Sequence, residues 1–387
     1  MAAIVTNSLS KASIEIGFIG RIPVRNIWLL MLYASDLFRH LDSAKITVEE
    51  NPDDIPELVA EILIRMVERR LMRNLTFDYQ PRESVLSRVR GRIDLLYTER
   101  HQLLEQGKVA CRYSELTVDT PRNRFVRSAL DELAKIVQRA DLSHRCSFLA
   151  SSLRRMGVVG ENPGRTEVSS DRFGRHDAHD RQMVTAAHLA FDLALPTEIE
   201  GMRNLSLPGR DIIWMRKLFE KAVAGFYDVV LSRSGWHVYA GKTIKWPIES
   251  RTQGIDRILP TMRIDIVLEQ EVLGRRIIID TKFNPITTKG WYREETLRSG
   301  YLYQIYAYLR SQENFNDSLT ANAAGLLLHP SIGDMVDESV EIQGHEIRFA
   351  TVDLAEGAKE IRNQLLQVVN VDSSRRQFHQ VTRTWSG

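Results

Sequence analysis

Two runs of mostly β-branched residues, Ile264-Asp265-Ile266-Val267-Leu268 and Arg276-Ile277-Ile278-Ile279-Asp280, flank a polar stretch that contains Gly274. Their composition predicts the two strands of an antiparallel hairpin. A turn centred between Val272 and Leu273 sets Asp265 opposite Asp280. Side chains alternate faces along a strand, so Asp280 and Lys282 are expected on one face and Thr281 on the other. Beyond the hairpin, Leu297, Tyr301, Ile305 and Leu309 recur every four residues and predict a helix over Leu297 to Leu309, on which Gln304 and Tyr308 share a face. Before it, Met215, Leu218, Phe219, Ala222, Val223, Phe226 and Val230 form a helical stripe with Glu220 at its edge.

The upstream pattern starts with a weakly ordered lead over residues 1–20. It then predicts an amphipathic helix from Asn26 to Leu41 with Asn26 in the N-cap position, a polar link from Ile46 to Asp54, and a second helix from Pro56. Leu75 to Leu96 is β-rich, with Tyr79-Gln80-Pro81-Arg82 as a turn. Val109 to Thr120 is extended, and Pro121 to Gln138 is a helix. Residues 160–182 are loop-like, residues 183–195 helical, and residues 196–210, with Gly201, Pro208 and Gly209, a linker. The expected fold class is α/β. An N-terminal α+β domain covers residues 1–205, and a C-terminal domain with a mixed sheet flanked by helices covers residues 206–387.

The hairpin carries the chemistry. Two carboxylates and an ammonium at one strand end repel or attract strongly, and two acids that close are stable when a hard cation lies between them. Mg²⁺ suits oxygen ligands and takes only one or two carboxylates beside water and phosphate; Mn²⁺ is the alternative. A lysine beside such an ion orients water or stabilises the charge of a transition state, which is the chemistry of phosphodiester hydrolysis. The competing reading of Asp280-Thr281-Lys282 is an ordinary strand ending in exposed charges.

Several other clusters invite chemistry. Arg82, Arg88, Arg90 and Arg92, with Arg122, Arg124 and Arg127 at the start of a helix where the dipole disfavours them, suit phosphates or an acidic partner; a solvated face is the alternative. His176, Asp177, His179 and Asp180 have no metal-ligand spacing and are expected in a solvated loop. Gly235 to Thr243 resembles a phosphate-binding loop, but five residues separate the glycines and a strand-like Ile244-Lys245-Trp246-Pro247 follows where a helix is needed. No nucleotide is expected on this chain.

An acid, then Asp-x-Lys, then Gln-x-x-x-Tyr is the order of one branch of the PD-(D/E)xK nucleases. More of the chain resembles a particular family. Ile22-Pro23-Val24-Arg25-Asn26-Ile27-Trp28 with Leu32-Tyr33-Ala34, Gly91-Arg92-Ile93-Asp94, Asn123-Arg124, Leu259-Pro260-x-Met262, Asp265, Asp280-Thr281-Lys282, Tyr303-Gln304 and Gly325-Leu326-Leu327-x-x-Pro330 resemble McrC, the nuclease subunit of the 5-methylcytosine-specific McrBC restriction systems. The resemblance runs from about Arg21 to Pro330 and thins between Asp141 and Arg210. It implies a PD-(D/E)xK fold in the C-terminal domain. It also implies an AAA+ motor partner that hydrolyses GTP, reads the modified double-stranded DNA, and is docked and stimulated by the N-terminal domain of this chain in a higher-order complex. On that footing Asp265, Asp280, Thr281 and Glu220 are the candidate metal residues. Glu220 is equally readable as a solvated glutamate. Lys282 acts on the attacking water, Gln304 and Tyr308 support the site or contact phosphate, and Arg90, Arg92, Asn123 and Arg124 are candidate partner or phosphate contacts.

Composition bounds these expectations. The chain has 387 residues, 43% of them hydrophobic, enough for two or three domain cores. Its 52 basic and 50 acidic residues leave a net charge of +2, little for a protein that grips DNA alone. That balance fits a nuclease whose partner holds much of the DNA, and equally a catalytically silent interaction subunit that activates a motor in antiviral defence. The two cysteines, Cys111 and Cys146, read as reduced thiols. No secretory h-region and no membrane-length apolar run occurs, so the expected compartment is the cytoplasm of a prokaryote.

Overall fold

The computed structural model describes residues 21–39, 54–164, 167–168, 173, 178–201, 208–288 and 295–369. In chain order these form α1 (Val24–Tyr33), α2 (Ile55–Leu71), β1 (Asp78–Leu86), β2 (Arg92–Ile93), β3 (Val109–Thr117), α3 (Pro121–Ile136), α4 (Ala140–Arg155) and α5 (Ala178–Gly201). There follow α6 (Pro208–Leu231), β4 (His237–Ile244), β5 (Met262–Gln270), β6 (Arg275–Thr281), α7 (Ser299–Gln312), β7 (Ala324–Ser331), β8 (Asp337–Ile342), β9 (His345–Asp353) and α8 (Ala358–Val369). The chain divides into two compact units, one of Ser35–Ala44 with Asp53–Leu205, the other of Met1–Ala34 and Lys45–Pro52 with Ser206–Gly387.

In the first unit α2, α3, α4 and α5 bury Leu63, Ile64, Phe125, Leu130, Leu149 and Ala187. Phe125 stacks 4.7 Å from Phe191 and 4.5 Å from His188. Pro56 sits in the first turn of α2, where its missing N–H leaves no helix bond unmade. Burial pushes the Cys146 thiol up to about 12, and both cysteines are free and buried. A three-stranded sheet in the order β1-β3-β2 completes the unit, with both pairings antiparallel. Tyr79 to Arg82 do not turn. They lie inside β1, with Pro81 paired to Ser114. β1 is an edge strand, so the proline's absent N–H breaks no ladder.

The second unit is built on a six-stranded mixed sheet in the order β8-β9-β7-β6-β5-β4. β9, β7 and β6 run parallel, while β8, β5 and β4 pair antiparallel with their neighbours. β6 and β7 are buried along almost their whole length, as strands covered on both faces require. The β5–β6 hairpin pairs Ile266 with Ile279 and Val267 with Ile278. That register places Asp265 and Asp280 one step beyond the last pair. α7 lays Ile305, Tyr308 and Leu309 on Val267, Ile278 and Leu327.

α1 belongs to this second unit, which corrects the expectation that residues 1–205 form one domain. The helix ends at Tyr33 and does not run to Leu41, and a separate turn of helix occupies Asp36–Arg39. Asn26 is not its N-cap; Pro23 holds that position. Asn26 is fully buried, and its Nδ2 donates to the backbone oxygens of Leu354 and Glu356 at 2.7 and 2.8 Å. Tyr33 stacks 5.1 Å from Phe226 of α6. A Cβ on Gly225 would lie 2.0 Å from the Tyr33 oxygen, so only glycine admits this crossing of α1 and α6. The expected linker over 196–210 is shorter than its composition suggested: α5 runs to Gly201 and α6 starts at Pro208.

Asn26→Ala removes both bonds and leaves two carbonyls without a donor. It should destabilise the protein by roughly 2–3 kcal/mol in urea unfolding. A loss below about 0.5 kcal/mol, the level of an ordinary surface change, would show that these bonds do not seat α1.

Candidate active site

Every candidate on the hairpin stands at one end of the six-stranded sheet. β6 carries Asp280 and Thr281, Lys282 follows directly, and the Lys282 N–H donates to the Leu328 oxygen at 3.0 Å, which extends the β6–β7 pairing by a residue. Asp280 is 1% exposed. Its Oδ2 lies 2.8 Å from Lys282 Nζ, as expected for two residues on one face. Oδ1 has no partner, so the Lys282 ammonium is the one close match for this buried carboxylate among the described residues.

Asp265 is held differently. Its Oδ2 accepts from the Thr281 N–H at 2.8 Å and from the Thr281 hydroxyl at 2.9 Å. Thr281 therefore does not turn away from the acids: its hydroxyl anchors Asp265 where the two strands part.

The charges report on one another. Burial raises the Asp280 carboxyl to about 6; Lys282 opposes the shift, and Asp265 and Glu220 add to it. Burial also raises Glu220, with Asp265 adding to the effect and Arg263, Lys221 and Lys282 opposing it. Glu220 on α6 is thus within electrostatic reach of the hairpin acids. Among the described residues no three His, Cys, Asp or Glu side chains converge tightly enough to enclose a metal by themselves. The donor set fits a hard cation that keeps water in its shell: all-oxygen ligands, and an Asp280 Oδ1 without a partner among the described residues.

Gln304 and Tyr308 form a relay to the strand. Gln304 Nε2 donates to the Tyr308 hydroxyl at 2.7 Å, which donates to the backbone oxygen of Arg263 at 2.8 Å. Burial raises the Tyr308 phenol, against the bond from Gln304. Both residues therefore act on β5 two positions before Asp265.

The sequence analysis missed three residues behind Lys282. The Lys282 ammonium lies 5.1 Å from the centroid of the Tyr301 ring. The Tyr301 hydroxyl accepts from Asn284 Nδ2 at 2.7 Å, and the Asn284 backbone oxygen is 2.8 Å from His329 Nδ1. A carbonyl only accepts, so Nδ1 carries the proton. In the sequence Tyr301 marks only the helical repeat. Its spacing from Gln304 and Tyr308 places all three on one stripe of α7, the signal that marks it.

The N-terminal candidates are not gathered here. Asn123 is buried, and its amide donates to the backbone oxygens of Thr76 and Val118. Arg124 lies 3.8 Å from Asp119 and 3.9 Å from Glu167. Arg127 donates to the Val158 and Gly160 oxygens, and Arg122 pairs with buried Asp180. Asn123 is thus tied into the fold, while Arg124 is partly exposed beside two acids. Arg90 is exposed, paired to Glu115 at 3.3 Å and stacked 4.1 Å over Tyr113; Arg92 is exposed on β2. Asp180 corrects the expected solvated loop: it is buried at the start of α5 and 3.1 Å from Arg70. His176 and Asp177 lie outside the described residues. Gly241-Lys242-Thr243 lie within β4, with no helix after them. No described helix is long and apolar enough to cross a membrane.

A profile of the McrBC 5-methylcytosine restriction system component family matches residues 6–330, and the chain belongs to that family. It is 24% identical over 349 residues to the type IV methyl-directed restriction enzyme EcoKMcrBC of Escherichia coli K12, across 90% of this chain and 97% of that protein. Among solved structures it is similar to a chain of the half-complex from the tetradecameric assembly of Thermococcus gammatolerans McrB AAA+ hexamers with bound McrC. That match has 14% identity and a TM-score of 0.39, and covers 81% of this chain and 68% of that one. A chain of the cryo-EM structure of the Thermococcus gammatolerans McrBC complex is 14% identical over 43% of this chain and 50% of that one, with a TM-score of 0.29.

The buried network behind Lys282 has a pH signature. Burial lowers His329 from 6.5 to about 4, against the bond to Asn284. Between those values the unfolded chain binds the proton and the folded chain does not. The histidine's stabilisation is therefore present above pH 6.5 and is lost as pH falls towards 4, by about 2 kcal/mol between pH 7 and pH 5. Asp280, raised by burial, changes stability in the opposite sense over the same range, so the total hides both. Subtracting the urea-unfolding profile of His329→Gln from that of the unsubstituted protein should isolate the slope. Parallel profiles would mean that His329 titrates normally in the folded state.

Proposed function

We propose that this member of the McrBC family is the DNA endonuclease subunit of a modification-dependent restriction complex. In this reading the second unit is a PD-(D/E)xK nuclease domain that works when assembled with an AAA+ GTPase motor. The observation that carries it is Asp280: a buried carboxylate whose close partner is the Lys282 ammonium, with Oδ1 unpartnered and two more acids within its field. Such an arrangement weakens a fold unless a ligand completes it.

Asp265 and Asp280 would hold Mg²⁺ or Mn²⁺ with water completing the shell, Thr281 fixing Asp265 and Glu220 acting at longer range. The cation supplies Lewis acidity and neutralises the charge of the phosphodiester. Lys282 Nζ, held between Asp280 Oδ2 and the Tyr301 ring, places its remaining N–H donors towards the attacking water and the phosphate oxygens. Its positive charge stabilises the negative charge that builds there. Gln304 and Tyr308 keep β5 in place through the Arg263 carbonyl and do not touch the reacting atoms.

The first unit would dock and stimulate the motor. Support comes from its three-stranded sheet and adjoining turns, which expose Tyr79, Val89, Leu95, Leu96, Leu104 and Leu116 on one small structure. That much bare apolar surface marks an interaction site. Its arginines are less free than their spacing suggested. Arg82 and Arg90 pair with Glu115, and Arg112 pairs with Glu83 and Asp94. The apolar residues are therefore the better docking candidates.

A specific observation favours the silent-subunit reading as well: Asp265 Oδ2 already accepts two bonds from Thr281. Cleavage by the assembled complex separates the two readings. Asp280→Ala should abolish it, and Lys282→Ala should lower it about 10²–10⁴-fold. Both variants should stimulate the motor normally. Leu96→Glu should do the reverse, losing the motor while keeping its unfolding transition. Unchanged cleavage by Asp280→Ala in Mg²⁺ would remove the nuclease assignment.

A further inference from the structure

Arg263 stands beside the candidate site without a role in the scheme above. It is the exposed residue of β5, two positions before Asp265, on a strand otherwise buried or half-buried. β4 pairs with β5 through Ala240 with Ile266 and Lys242 with Ile264. The residue this register sets opposite Asp265 is Gly241, and no pair forms there. Gly241 has φ +63°, and a Cβ built on it would lie 2.9 Å from Arg263 Nη2 and 3.3 Å from Nε. The guanidinium thus lies across the glycine, in the space that any other side chain would fill.

Its surroundings give it nothing to bind. Glu220 feels its charge, yet among the described residues no carboxylate forms an ion pair with Arg263. A planar fork of donors therefore lies against Gly241 beside the acids of the site, on a strand position that the Tyr308 bond to its carbonyl fixes, and it stays open to solvent. A group of acids repels a polyanion. A fixed fork beside them offsets that repulsion and matches two oxygens of one phosphate.

We infer that Arg263, seated on Gly241, binds a backbone phosphate of the DNA strand that enters the candidate nuclease site. The inference rests on the endonuclease reading. In it Arg263 positions the strand by its phosphate and Gly241 keeps the seat vacant. A lysine there keeps the charge but loses the paired geometry.

The test uses the full chain assembled with its motor. Arg263→Ala should lower kcat/KM for cleavage about 10- to 100-fold, the range of a charge-assisted hydrogen bond, with Arg263→Lys in between. DNA binding is measured without metal, in chains that also carry Asp280→Ala so that nothing is cut. There, Arg263→Ala should reduce the slope of log Kobs against log salt by about 0.9, the value of one phosphate contact. Gly241→Ala should reproduce that change in slope, while unfolding curves of all variants report whether the fold is intact. Normal cleavage and an unchanged slope in Arg263→Ala, with Asp280→Ala inactive, would overturn the phosphate seat and leave the nuclease reading standing. Lost cleavage with an unchanged slope would also overturn it, making Arg263 a structural partner of Glu220. Full activity of Asp280→Ala would instead remove the endonuclease reading on which the seat depends.

Discussion

A buried carboxylate matched by a single ammonium is the constraint around which the second unit is arranged. Asp280 sits on a central strand, 1% exposed, with Lys282 as its close partner. Placing charge there costs several kcal/mol unless it is neutralised or matched. The surroundings hold it in place nonetheless. β5 and β7 flank β6 on its two edges, and α7 covers the face that carries Val267, Ile278 and Leu327. The rigidity that aims Asp280 is supplied by apolar burial around it, while its Oδ1 is left for something else.

The same economy of partners runs through the neighbouring groups. Asp265 is tied by Thr281, Lys282 by the Tyr301 ring, and Tyr301 by Asn284, whose carbonyl is in turn held by a neutral His329. Each of these side chains is fixed by a bond that leaves its charged end pointing at a neighbour. Burial disfavours the charged form of both groups, lowering the histidine and raising the aspartate, and Lys282 beside Asp280 opposes that effect on the carboxylate.

The hairpin was legible in advance because two periodicities agree. Alternation along β6 fixed the shared face of Asp280 and Lys282, and a polar turn of the right length fixed the register seen in the Ile266–Ile279 pair. The helix that carries Gln304 and Tyr308 was legible for the same reason. What failed were inferences from residue type without a neighbour. Pro81 looked like a turn because an edge strand cannot be told from a turn without its partner β3. Asn26 looked like a cap because its acceptors lie more than 300 residues away, at Leu354 and Glu356. The arginines near Pro121 looked available because the partners of Arg122 and Arg127, Asp180 and the Val158 carbonyl, are distant in sequence. Arg263 carried no signal at all, since its significance lies in a glycine on the next strand.

α1 gives the domain organisation a consequence of its own. Because it packs with α6 and is bonded to the turn before α8, the second unit is assembled from both sides of the first, which is in effect inserted into it. A unit closed by contacts of such long sequence separation orders its ends late, since loop closure precedes the reward of the contact. The intervening unit has its own helical core and local pairings, such as the β1–β3 ladder, and can fold on them first. The seating of α1 on this unit depends on Gly225, where a single added methyl group would block it.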